Sequence, residues 1–175
     1  MSIGLLLLRV IVGGLFVGHG TQKLFGWFGG HGLDGTGAWM ESLGFRRGRV
    51  WAAVGGLAES LGGLLLALGF LTPLAAAAIV GVMTTATMAV HLRNGVWNTN
   101  GGYELPLVYA AAATAIAFMG PGAYSVDRLI GLSIEPVTSG LVALVLGLVA
   151  GALVNAVRTQ PAMAEAPSVE GRVAA

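Results

Sequence analysis

The chain has no cysteine among its 175 residues. Disulfides, thiolate-bound zinc, iron–sulfur clusters and a dithiol relay of its own are therefore excluded. Charge is nearly as scarce: Asp, Glu, Lys and Arg make up 10% of the sequence, where a soluble domain carries about 25%. Nine basic residues almost cancel eight acidic ones, so no basic excess is left to hold a nucleic-acid backbone, and no nucleic-acid partner is expected. Apolar residues fill the rest. The chain is 55% hydrophobic with mean hydropathy +0.81, a composition that belongs in lipid rather than water, and its first partner is the bilayer.

Taking the charges as punctuation, five apolar segments stand out: Ile3 to Gly20, Trp51 to Phe70, Pro73 to Leu92, Leu105 to Gly120 and Val137 to Val157. Each approaches the run of about 20 residues that crosses a hydrocarbon core, the fourth only just. The first has Arg9 inside it and ends on Gly18-His19-Gly20, which does not fit a cleaved signal, so it is expected to stay. No barrel-like alternation occurs, and unpaired backbone cannot lie in lipid; the fold class is an all-α integral membrane protein. Phe70-Leu71-Thr72-Pro73 reads as a tight reversal in which Pro73 opens the third helix. Lys23, Arg46, Arg47, Arg49, Arg93, Arg158 and Arg172 gather at one side and only Arg128 in a loop at the other, which puts the N-terminus outside and the C-terminus in the cytoplasm. Residues 158–175 are small and polar, so a disordered tail is expected there.

The longest connection, Lys23 to Val50, is first glycine-rich and then amphipathic from Thr36 to Gly44. Thr36 can cap a short helix, Trp39, Met40 and Leu43 share its apolar face, and Gly44 can end it. This reads as an interfacial helix, with Trp27, Trp39, Trp51 and Trp97 anchoring the same boundary.

Ionisable residues within spans are costly unless they meet a partner or water, so each is a candidate for function. Glu59 is the clearest. It lies mid-helix with Gly55, Gly56, Gly62 and Gly63 one turn away on either side, a face suited to close helix contact rather than lipid. At about 1.5 Å per residue, the helices bring His19, Gln22, Lys23, Glu59, His91 and Glu104 to similar depth. They form a candidate intramembrane polar pocket, with Arg93, Thr84, Thr85 and Thr87 nearby. At the other end, Arg9 matches the depth of Asp127 and Arg128, and a structural ion pair between Arg9 and Asp127 is expected. The plainer reading is that these charges only lock the bundle, through pairs such as Lys23 with Glu104 or Glu59 with His19. His19 and His91 would serve a bis-histidine haem only if they faced each other at equal depth. No metal site is expected, since no ligand pair such as Glu-x-x-His occurs. The loop FGGHGLDGTG lacks the Lys-Ser/Thr ending of a phosphate loop and follows no strand.

The segments LLRVIVGGLFVGHGTQKLFG, LAESLGGLLLALGFLTPLAA, VHLRNGVWNTNGGYELPLVY and GPGAYSVDRLIGL, in that order, resemble the DoxX family of bacterial membrane proteins over about residues 3–132. The family's motif positions fall on Arg9, His19, Lys23, Glu59, Tyr103, Glu104, Asp127 and Arg128, nearly the set singled out by burial cost. The resemblance implies an antiparallel four-helix bundle in the bacterial cytoplasmic membrane, as a domain over residues 1–132. The fifth helix, about 137–157, and the tail lie beyond it, so this chain departs from the even-helix topology. The resemblance also implies association with quinone-linked sulfur oxidation or with membrane oxidoreductase complexes, although many members have no assigned activity. The chain is thus expected to be an accessory subunit of such a complex, with oxidoreductase proteins as partners and a quinone as the one compatible cofactor. No catalytic residue is singled out, and a homo-oligomer is compatible with the sequence. A membrane scaffold docking soluble proteins through the Lys23 to Val50 loop is the alternative. A small-solute or proton carrier would use the same Glu59 pocket, but no inverted repeat is evident.

Overall fold

A computed structural model describes residues 3–159. The expected disordered tail falls outside the described residues from 160 onward, while Arg158 and Thr159 are held. Thr159 N–H donates to the Gly44 carbonyl at 3.0 Å and Arg158 Nε to the Leu43 carbonyl at 2.9 Å.

Among the described residues seven α-helices follow one another: α1 Ile3–Phe25, α2 Gly32–Ser42, α3 Gly48–Leu68, α4 Thr72–Ala86, α5 Glu104–Met119, α6 Val126–Leu129 and α7 Pro136–Ala156. Four segments among the described residues are long and apolar enough to cross a membrane: α1, α3, α7 and the continuous stretch Thr72–Asn94 that begins with α4. The fifth, α5, is apolar but only 16 residues long, about 24 Å at the usual rise. Helix α1 runs five residues past Gly20, where the sequence alone placed its end. Continuing the helix keeps backbone groups paired at the edge of the hydrocarbon, and it carries Lys23 on a rigid turn rather than a loop.

Each reversal has a local cause. Helix α3 stops at Gly69, whose φ of 63° lets the Gly69 and Phe70 N–H groups return to the carbonyls of Leu66 and Leu65. Pro73 sits in the first turn of α4, where its missing N–H costs nothing. Beyond Ala86 the helix widens into a π turn at Thr87–His91 and then tightens into a 3-10 turn at Leu92–Asn94. Glu135 caps α7 by accepting from the Thr138 and Val137 N–H groups at 2.7 and 2.9 Å. Those bonds, Thr138 first, hold its carboxyl below the ordinary value.

Helices α1, α3, α4 and α5 form the bundle, with α1 on α3, α3 on α4, α4 on α5 and α5 touching α1. Val12 and Phe16 of α1, Leu66 of α3, Ile79 of α4 and Ile116 of α5 meet at its centre. Helix α7 packs outside this ring, against α4 and α5. Small residues set the spacing. A Cβ on Gly20 would lie 2.5 Å from the Gly56 carbonyl oxygen, so α1 and α3 touch backbone to backbone. On α7, a Cβ at Gly147 would lie 2.5 Å from Val80 Cβ, and one at Gly151 2.5 Å from Thr84 Cβ.

Gly147→Leu should therefore lift α7 off α4 and cost about 1–3 kcal/mol, as overpacking usually does. Earlier release of a C-terminal fragment by limited proteolysis in detergent is the expected readout. Wild-type resistance would show that α7 does not depend on this close approach.

Candidate functional site

The extended end of α1 brings Lys23 Nζ onto Glu59 Oε1 of α3. Glu59 is 2% exposed, and its second oxygen, Oε2, has no hydrogen-bond partner among the described residues. Lys23 keeps 27% of its side-chain surface accessible, reaching along apolar wall with only its head near the carboxylate. A buried carboxylate with one satisfied oxygen is costly in a low-dielectric setting, so Lys23 is what makes its burial tolerable.

Glu59 and Lys23 are among the residues lining an apolar cavity of about 290 Å³. Its origin is the packing order. Helices α3 and α7 both lie against α4, leaving a trough between them, and α2 with its following turn closes one end. Gly55 and Ala58 of α3, Gly81 and Thr85 of α4, and Ala150 and Gly151 of α7 supply small walls. Trp39 and Met40 of α2 and Leu43 just after it supply the floor, with Phe45 beyond them. Arg158 stacks over the Phe45 ring at 5.4 Å, tying the end of α7 to that floor. Thr85 Oγ1 donates to the Gly81 carbonyl at 2.9 Å, so its proton is used and its lone pairs remain. A second, more polar hollow lies on the far side of Lys23 and Trp39, between Gln22, His31, Gly35 and Thr36.

The six residues expected to form one pocket are only partly brought together. Lys23 and Glu59 meet each other, in place of the Lys23–Glu104 and Glu59–His19 pairs that depth alone suggested. His19 is exposed, and its Nδ1 lies 3.1 Å from Gln22 Oε1 on the same helix, while Gln22 Nε2 donates to the Phe28 carbonyl. His91 Nδ1 lies 2.7 Å from the Gly101 carbonyl, and Glu104 accepts from the Asn98 N–H at 2.9 Å. Both brace the connection between α4 and α5, and neither pairs with Glu59 or Lys23.

Arg9 and Asp127 likewise form no direct ion pair. Arg9, 1% exposed, donates to the carbonyls of Pro121 and Tyr124 after α5. Asp127, 3% exposed, accepts from Leu71 N–H at 2.8 Å, Thr72 N–H at 3.0 Å and the Thr72 hydroxyl at 2.7 Å. Backbone groups freed by helix ends outcompete the opposite charge, because those groups have no other partner in lipid.

Sequence reasoning missed the contribution of α2 and α7. Trp39, Met40 and Leu43 share a face, as their spacing indicates, but α2 starts at Gly32, and Thr36 is buried rather than capping. The two tryptophans Trp39 and Trp51, read as interface anchors, also line the cavity. The shared apolar face of α2 was the signal available for this.

Comparison with protein-family profiles matches the DoxX family over residues 4–92. Among curated proteins, the inner membrane protein YphA of Escherichia coli (strain K12) is 32% identical over 133 residues, covering 71% of this chain and 88% of its own length. The inner membrane protein YqjF of the same organism is 28% identical over 129 residues, covering 74% and 93%. No solved structure matches.

Proposed function

The chain belongs to the DoxX family, as a multi-pass bacterial membrane protein, and from that premise we propose that it is an accessory subunit of a membrane-bound oxidoreductase that holds a quinone headgroup. The observation that carries this reading is the apolar cavity with an ion pair on its wall. A lipid-soluble ring needs a small apolar chamber reached from the bilayer, with one or two polar groups to orient it. The trough between α3 and α7 supplies the chamber, and Lys23 and Glu59 supply the polar groups. The protons of Lys23 not spent on Glu59 fit the carbonyl oxygens of such a ring, which accept hydrogen bonds. When bound, a quinone would supply the redox chemistry. The chain's own residues bind it, orient it and hold charge beside it, and the partner proteins supply the substrate.

Gly55 offers a clean test. It lines the cavity, and a Cβ there would meet nothing within 4 Å, so the first carbon of a leucine at Gly55 has open space. Gly55→Leu should keep the protein inserted and lower quinone co-purifying in mild detergent at least tenfold. Unchanged quinone content would remove the cavity from the reading.

The scaffold alternative draws on the end of α1 and the loop after it, where Phe25, Trp27 and Phe28 are 61%, 57% and 76% exposed. It requires that Gly55→Leu leave partner association intact while substitutions at Trp27 and Phe28 abolish it.

A further inference from the structure

We propose that the polar hollow beside α2 binds a phosphate-type oxyanion, carried by a lipid headgroup or free in solution, at a site separate from whatever fills the apolar cavity. The hollow measures about 580 Å³, and its polar lining is Gln22, Lys23, His31, Thr36 and Trp39, with glycines between them and no Asp or Glu. Lys23 and Trp39 offer only donors, however they turn. Thr36 carries the argument. Thr84, Thr85 and Thr114 each return the hydroxyl proton to the carbonyl four residues back, whereas the Thr36 hydroxyl has no partner among the described residues although its side chain is 6% exposed. Among those residues, the orphaned side-chain atoms sealed from every opening are Arg9 Nε, Glu59 Oε2 and Ser60 Oγ. Thr36 Oγ1 is therefore reachable, and the opening that Thr36 lines is this hollow.

The glycine-rich loop shapes the rest of the site. Gly30 packs so closely on α1 that a Cβ there would overlap the Gln22 backbone, and Gln22 Nε2 donates to the Phe28 carbonyl at 3.2 Å, which pins the loop to the end of α1. Helix α2 starts directly after it, with no side-chain cap from His31. Its first turn borders the hollow through His31, Gly35 and Thr36, so the free N–H groups of that turn and the helix dipole add to the attraction for an anion. Asp34 of the same turn is 83% exposed at its side chain and pairs with Arg49 at 3.1 Å, and neither it nor Glu59 lines the hollow. A cation would find no carboxylate there, while an oxyanion brings several acceptors at once. The loop FGGHGLDGTG lacks a Lys-Ser/Thr ending of its own, but folding brings it Lys23 from α1 and Thr36 from α2. Helix α1, with 23 residues, is about 35 Å long against a hydrocarbon core of about 30 Å, so the turn holding Lys23 reaches the level of lipid phosphates.

The experiment titrates the purified full chain, in an uncharged detergent at one low salt concentration, with dioctanoyl phosphatidic acid, dioctanoylglycerol and inorganic phosphate. Phosphatidic acid should bind about tenfold or more tightly than dioctanoylglycerol, which has the same chains and no phosphate. Thr36→Val keeps the shape and removes the hydroxyl. It should weaken phosphatidic acid about tenfold while leaving the unfolding midpoint unchanged, because that hydroxyl has no protein partner to lose. His31→Ala, at an exposed position, should weaken binding about threefold, and it decides the matter if Thr36→Val lowers the midpoint. Inorganic phosphate that displaces the lipid extends the site to free oxyanions; phosphatidic acid bound without phosphate assigns it to lipid headgroups, and phosphate bound without the lipid assigns it to the free ion. Dioctanoylglycerol binding as tightly as phosphatidic acid, no binding of either phosphate probe, or affinities unchanged in the folded variant overturns the proposal and leaves the quinone reading untouched.

Discussion

Replacing Asp127 by Ala should cost about 3–5 kcal/mol of stability, as loss of a buried, fully hydrogen-bonded charge does. Its carboxylate takes three hydrogen bonds at the start of α4, from two backbone N–H groups and the Thr72 hydroxyl, at 2.7–3.0 Å. It thus caps a helix that begins 55 residues before it in the chain, in the place where an Ncap side chain would usually serve. Leu71, the residue before α4, has a φ of 48° and offers no cap of its own. The Asp127 N–H, in turn, donates to the Gly69 carbonyl at 3.0 Å, so one residue holds both sides of the α3–α4 reversal. Arg9 does the matching work on α1, bridging the carbonyls of Pro121 and Tyr124. Asp127→Asn keeps one accepting oxygen and should lose about half as much. Denaturation by SDS in mixed micelles measures both variants. A loss under about 1 kcal/mol for Asp127→Ala would mean that water takes over the freed N–H groups and this end of the bundle is wet.

How much of this was legible beforehand follows from what periodicity and depth can carry. The five apolar segments and the hairpin at Pro73 depend on local composition and turn chemistry, and helices occupy all five segments, with α1 running on to Phe25. The set of costly polar residues was also legible, because a charge in an apolar run is visible in one dimension. Their partners were not. Arg9 and Asp127 share a depth, yet each is claimed by orphaned backbone groups that appear only once the turns are folded. His91 and Glu104 share a depth with Glu59, but depth does not fix which side of a helix a residue faces. Lys23 met Glu59 because α1 continues through Phe25, and nothing in GHGTQKLFG marks a stop or its absence. The cavity was the least legible feature, since its walls come from small residues on α3, α4 and α7 and its floor from α2. Glycine and alanine at those positions read equally well as packing or as space. Gly147 and Gly151 are packing, while Gly55 borders space, and only the placement of α7 separates them.

Lys23→Met should destabilise the protein by about 3 kcal/mol, whereas the double variant Lys23→Met, Glu59→Met should recover most of that loss. The single change leaves Glu59, 2% exposed, without its cation, and the site must then either hold a lone buried charge or bind a proton. Removing both groups eliminates that penalty, and methionine fills similar volume among the apolar walls. A coupling of about 2 kcal/mol between the two positions is expected, within the range for residues in contact. Partial exposure of Lys23 sets the lower bound, since water can approach its head and soften the loss. The double variant then asks why the pair exists. A pair kept only to lock α1 against α3 would be dispensable once replaced by apolar packing, and a stable double variant would retain whatever the protein binds or assembles with. A pair kept for the cavity would give a protein that folds as well as the wild type and binds no quinone. Unfolding midpoints and co-purifying quinone, measured on the same four proteins of the cycle, decide between them: stability restored with binding lost assigns the pair to ligand recognition, and stability restored with binding intact assigns it to the bundle.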